Sequence, residues 1–280
     1  MRGSPRVATG DGVGQDRRVL VLLPPSEGKT PPRRGTPLDL ESLSYPSLTP
    51  TRERVVEALV DLAQNDPVTA RRVLGLSERQ SDELARDAAL LQEPTAAAGS
   101  VYTGVLYDAL DVATLDAAAR RRANRTVVVQ SALFGAVRLS DRIPAYRLSG
   151  DSVLPALGPL GAHWRDPLAA AMSDAAGRGL VVDLRSGVYA ALWKPTGDVA
   201  NRTVAVRVLQ ELPDGRRKVV SHFNKATKGR LLRAWLTDGV DPRDADDLAG
   251  ACEKAGVVAE LGPRPRAGAP RALDVVVTDL

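Results

Sequence analysis

The chain has 280 residues, 44% hydrophobic and 26% charged, with a formal net charge of +4 and a pI of about 9.4. That length holds one large domain or two ordinary ones, and the modest basic excess permits phosphate or nucleic-acid binding without establishing it. One cysteine, Cys252, excludes an internal disulfide; two histidines, His163 and His222, argue against a histidine-rich metal centre, and no apolar run is long enough to span a bilayer. The expectation is a cytoplasmic protein with neither metal nor cofactor.

Residues 1–18 mix Gly, Arg, Asp and Ser without periodicity and read as a disordered leader. Val19–Leu23 is a buried strand that runs into "PPSEGKTPP". Its Gly-Lys-Thr ends like a phosphate-binding P-loop, yet Leu23 stands where that loop needs its first glycine, and Pro31 pushes Thr30 into an extended conformation. What remains is a stiff, proline-bounded turn with Lys29 near its end. Apolar spacing predicts helices over Thr51–Gln64, Pro67–Leu74 and Ser77–Leu91. Thr126–Gln130 is a strand running into a helix or turn, Asp166–Arg178 a helix, and Leu180–Leu184 a second buried strand. "TVAVRVLQEL" and "RRKVVSHFN" form a hairpin around Pro-Asp-Gly, and Lys228–Leu236 is a final amphipathic helix. Alternating helices and strands give an α/β (mixed α+β) class with a mixed sheet. One large domain over 19–260 is expected, followed over 261–280 by a Pro/Arg-rich linker and a tail or late edge strand.

Six of the 38 basic residues are lysine, and four of them, Lys29, Lys194, Lys225 and Lys228, fall in the segments least like generic fold. Where arginine is the default cation, a lysine suggests a compact ammonium whose charge can be tuned. "SALFGAVRLSDRIPAYRL" places Gly135 after a helical lead-in and then offers Arg138, Arg142 and Arg147. A glycine turn between two short helices would present amides to a phosphate; alternatively Gly135 ends a helix and Arg138 pairs with Asp141 on its surface. "HFNKATKGRLL" sets Lys225, Lys228 and Arg230 around a helix start, which is an anion site or a solvated basic face. "DLRSGVYAALWKP" follows a strand. Its Ser186 lacks the Gly-x-Ser-x-Gly elbow of a hydrolase, so it is a nucleophile of another kind or a structural turn. Tyr102 and Tyr107 in "YTGVLYDAL" either stack a base or pack the core.

"PPSEGKT" and these four segments together resemble, in order and spacing over about residues 19–240, the YaaA family of peroxide stress resistance proteins. Lys29 lines up with the lysine of a Ser-Pro-Ala-Lys form, from which Ser26-Glu27 departs. The resemblance implies a cytosolic protein of oxidative-stress defence linked to limiting free iron, a fold of its own kind, and a basic cleft that grips double-stranded DNA without reading sequence. In that cleft Lys29, Gly135, Arg138, Arg142, Arg147, Lys194, Lys225, Lys228 and Arg230 would meet phosphates. It implies no reaction. The reactive groups Lys29, Glu27, Ser186 and Tyr102 keep a second reading open: an enzyme on a nucleotide-like, nucleobase-like or phosphorylated small molecule. The sequence is silent on oligomeric state.

Overall fold

The computed structural model describes residues 17–212, 216–219 and 221–277, so all but Arg17 and Arg18 of the expected leader lies outside the described residues. Eight strands form the main sheet: Leu20–Leu23 (β1), Val127–Ser131 (β2), Gly135–Arg138 (β3), Val181–Asp183 (β4), Thr203–Glu211 (β5), Arg217–Val219 (β6), Val258–Leu261 (β7) and Arg271–Val277 (β8). The principal helices are Thr49–Asn65 (α1), Pro67–Leu74 (α2), Ser81–Ala88 (α3), Val105–Leu110 (α4), Ala117–Thr126 (α5), Leu160–Ala176 (α6), Gly187–Leu192 (α7), Ser221–Asp238 (α8) and Ala245–Lys254 (α9).

The sheet order is β7-β8-β5-β4-β1-β2-β3, with β6 paired to the far end of β5. Strands β8, β5, β4, β1 and β2 run parallel, while β3, β6 and β7 are antiparallel to their neighbours. Every residue of β1 and β2 is buried, as expected of central strands covered on both faces. From β1 the chain passes through α1–α5 to β2 on one side, then returns to β4 on the other. The gap between β1 and β4 is therefore the switch point, and its carboxyl end is where open α/β sheets bind ligands.

Helix boundaries follow local chemistry. In α2, Asp66 caps the start by accepting from the Thr69 amide at 3.0 Å, Pro67 occupies the first turn, and Gly75 closes the end at φ 63°. Residues Val55, Val56, Leu59, Leu62 and Ala63 turn the apolar face of α1 into the core.

Three expectations are corrected. First, Gly135 does not turn between two helices. It opens β3, which pairs with β2 in a hairpin, at φ 70°, and a Cβ there would lie 2.6 Å from the Trp164 ring. Second, α8 begins at Ser221, so "SHFN" is helix rather than strand, and Lys225 and Lys228 lie inside it and not at its amino end. Gly229 is there because α8 presses on α4; a Cβ would meet the Leu106 carbonyl oxygen at 2.3 Å. Third, the segment 261–280 carries β8, an interior strand between β5 and β7, because its alternating Leu273 and Val275 bury against the core. Among the described residues no helix is long and apolar enough to cross a membrane.

Candidate functional site

The turn leaving β1 is pinned from both sides. Tyr107 donates its hydroxyl to the Pro24 carbonyl at 2.8 Å, the Thr30 amide donates to the Val101 carbonyl at 2.9 Å, and Lys29 forms an isolated bridge to Tyr102. A turn fixed in this way places Lys29 with little entropy left to lose. Its Nζ donates to the Ser26 and Glu27 carbonyls at 2.8 and 3.3 Å, and it lies 4.2 Å from the centre of the Tyr146 ring and 5.6 Å from that of Tyr102. Among the described residues no carboxylate comes within ion-pair distance of it. Burial of the ammonium, aided by the charge of Arg147, lowers its pKa to about 7, against the opposing pull of Asp87, Glu27 and Glu83.

A cavity of about 290 Å³ opens over this turn. Lys29 and Tyr146 lie on one side of its lining, and α3 with the residue before it supplies Gln80, Glu83 and Arg86. Arg147, also in the lining, meets Glu27 at 3.1 Å and Glu83 at 4.0 Å. The Arg147 amide donates to Asp87 Oδ1 at 2.9 Å, while the other oxygen of Asp87 is buried without a partner. Burial raises the Asp87 carboxyl to about 7, with the Arg147 amide and Lys29 pulling the other way.

Behind Lys29 runs a buried hydroxyl chain. Ser131 Oγ accepts from the Leu133 and Phe134 amides at 3.2 and 3.0 Å and lies 2.8 Å from the Tyr146 hydroxyl. With both lone pairs engaged, Ser131 donates its proton to Tyr146. Tyr146 in turn lies 3.0 Å from the Tyr102 hydroxyl. Burial pushes both phenols well above the ordinary tyrosine range, so they stay protonated.

A second network braces the exit of β4. Arg185 forks onto Asp183 at 2.8 and 2.6 Å, donates to the Trp193 carbonyl at 2.9 Å and contacts Gln130. Lys228 donates to the Leu184 carbonyl at 3.1 Å, and burial lowers its pKa to about 8, with Asp183 opposing.

Of the residues singled out in the sequence, Lys29, Glu27, Tyr102 and Arg147 come together here. Lys228 is buried at the β4 exit, outside the cavity lining. Arg138 lies opposite Val128 at the start of β2 and donates to the Asn124 and Arg125 carbonyls, which puts it at the amino edge of the sheet. Arg142 is exposed and donates to the Thr95 carbonyl. Ser186 is an exposed residue preceding α7, with no side-chain cap bond. Lys194, Lys225 and Arg230 are exposed. Sequence reasoning missed Glu83, Asp87, Ser131 and Arg185. A signal existed for Asp87: it falls on the buried stripe of a helix, three residues from both Leu84 and Leu90.

The model of one family, described as "Peroxide stress protein YaaA", matches residues 19–256. A UPF0246 protein of Streptomyces coelicolor is 53% identical over 262 residues, covering 94% of this chain and all of that relative. UPF0246 proteins of Corynebacterium efficiens and Corynebacterium glutamicum are 44% and 41% identical, covering 87% and 88% of this chain and 95% and 96% of theirs.

Proposed function

The chain belongs to the peroxide stress protein YaaA family, and on that premise we propose that its pocket acts on a small molecule bearing a phosphate or a nucleobase, with Lys29 as the acid–base group. The observation that carries this reading is Lys29 itself. It is one of the residues lining a cavity of about 290 Å³, its Nζ lies 4.2 Å from the centre of the Tyr146 ring with no ion-pair partner among the described residues, and burial lowers its pKa to about 7, where a general acid or base works best. Arg86 and Arg147, also in the lining, offer charge to an anionic group, and Glu27 and Glu83 offer acceptors to a base or sugar edge. The volume suits one small ligand. The test is a binding panel of nucleotides, nucleobases and phosphorylated metabolites against wild type and Lys29→Met. At least one compound should bind, and the variant should bind it tenfold more weakly or worse, with unchanged thermal stability. Equal binding by both proteins contradicts the reading.

A second reading, sequence-indifferent binding of a DNA backbone, draws support from the exposed Lys194, Lys225 and Arg230. Lys225 lies one helical turn from Lys228, which reaches the β4 exit. It predicts duplex affinity that falls steeply with salt and is reduced when these three cations are replaced by glutamine. Weighing against it, Lys228 is buried and Arg138 is spent on helix carbonyls at the opposite edge.

A further inference from the structure

We propose that Lys29 is a carbonyl-directed amine, which condenses with an aldehyde or ketone whose anionic group is received by Arg86 and Arg147. The inference rests on reading the cavity as a small-molecule site and goes beyond it by assigning the electrophile.

Three features of the geometry carry it. Lys29 is one of the residues lining the cavity and is only part-buried, which leaves it open to an electrophile there. Two carbonyl oxygens, those of Ser26 and Glu27, accept from it. A neutral amine has two N–H groups and one lone pair, so this pair of acceptors satisfies both hydrogens and leaves the lone pair for attack. No carboxylate among the described residues is close enough to hold the amine in its charged form by ion pairing. The charged groups that face it are Arg147, which favours loss of the proton, and Asp87, Glu27 and Glu83, which favour its retention; with burial included, the balance falls at about 7. Lys228 is the internal control. It is buried and donates to a carbonyl, but it lies outside the cavity lining, where no substrate is offered to it.

The step balances as follows. The Lys29 nitrogen adds its lone pair to the carbonyl carbon and gives up one of its two protons as the carbonyl oxygen takes one up. The resulting carbinolamine then loses its hydroxyl as water, the nitrogen giving up its own proton, to leave an imine. Overall the two protons leave the nitrogen and depart on the oxygen as water, so none is gained or lost. No oxidant or reductant is consumed.

The test needs no natural substrate. Wild-type protein is exposed at pH 7 to substoichiometric pyridoxal 5′-phosphate, used as a lysine-directed aldehyde bearing a phosphate, reduced with borohydride, digested and mapped by mass spectrometry. Six lysines make the map complete. The expected result is reduced adduct on Lys29 at least tenfold above each of Lys194, Lys218, Lys225, Lys228 and Lys254. Phosphate-free pyridoxal should label Lys29 several-fold less. Adducts spread evenly, or concentrated on the exposed lysines, overturn the proposal. Equal labelling by the two aldehydes overturns the assignment of Arg86 and Arg147. Loss of panel binding in Lys29→Met with no Lys29 adduct in wild type removes the carbonyl chemistry while leaving the acid–base role standing, so the two failures are told apart.

Discussion

The two edges of the parallel sheet use cations in opposite ways. At the amino edge, arginines close helices. Arg202, just before β5, donates to the Ala176, Gly177 and Gly179 carbonyls at the end of α6, and Arg138 donates to the Asn124 and Arg125 carbonyls near the end of α5. A guanidinium fork matched to free carbonyls is a helix C-cap, favourable both as hydrogen bonds and against the helix dipole. At the carboxyl edge Arg185 is fully matched, to Asp183 and the Trp193 carbonyl, but among the described residues Lys29 and Lys228 have no carboxylate partner. Lys29 and Lys228 sit against backbone carbonyls with lowered pKa, and Arg147 is shared between two glutamates. A cavity of about 350 Å³ at the amino edge is larger than the one over Lys29, yet Arg138 in its lining is already committed to carbonyls. What distinguishes the two edges is therefore what their cations meet, not the size of their cavities: helix-end carbonyls for Arg138 and Arg202, turn carbonyls beside an aromatic ring for Lys29.

Substitutions on the two edges can break or sharpen this contrast. Arg202→Ala leaves carbonyls at the end of α6 without their donor and should cost about 3 kcal/mol in urea unfolding while leaving ligand binding intact. At the other edge, the Asp87 carboxyl is raised from 3.8 to about 7, so the folded protein holds a proton the unfolded chain has released between those values. The contribution of Asp87 to stability must then fall as pH rises through that window. Asp87→Asn should flatten the fall by about 2 kcal/mol, read from unfolding at pH 5 and pH 8, because Asn still accepts from the Arg147 amide but carries no charge.

Lys29→Met should weaken pocket ligands at least tenfold, about 1.4 kcal/mol, in calorimetric binding. Its stability should be no lower than wild type at pH 6. The Lys29 pKa falls from 10.5 to about 7 on folding, so the charged form held below pH 7 costs stability, a cost lifted as pH rises toward 10.5 and absent in the variant. The smallest effect is Arg138→Ala, about 1 kcal/mol in thermal unfolding from the lost carbonyl bonds and the Tyr45 stacking contact, with ligand affinity unmoved. Loss of ligand binding in either amino-edge variant would break the contrast.

The sequence made the central strands and first helices legible because their causes are local. β1, β2 and β4 are short apolar runs, and α1 and α2 carry their own spacing and caps. It misled where the cause is distant. Gly135 looks like a helix-ending glycine, but its conformation is tied to Trp164, an aromatic 29 residues later in the chain. "RRKVVSHFN" does supply β6, paired with β5 in the expected hairpin, but its second half is not strand, because α8 begins at Ser221. The Pro/Arg-rich stretch before β8 suggested a tail, although β8 is enclosed by β5 and β7. In the site, Lys29 was legible because prolines frame it. Asp87 was not, because the amide it accepts from lies 60 residues away.

The central claim is that Lys29 is a near-neutral amine held for chemistry, and direct observation of its titration tests this best. With lysine side chains isotopically labelled, six NMR resonances can be followed from pH 5 to 11, and Lys29→Met assigns the relevant one. The account predicts a midpoint for Lys29 near 7. A Lys29 midpoint at or above 10 would contradict it, and would reduce the pocket cation to a structural tie between the Ser26 and Glu27 carbonyls.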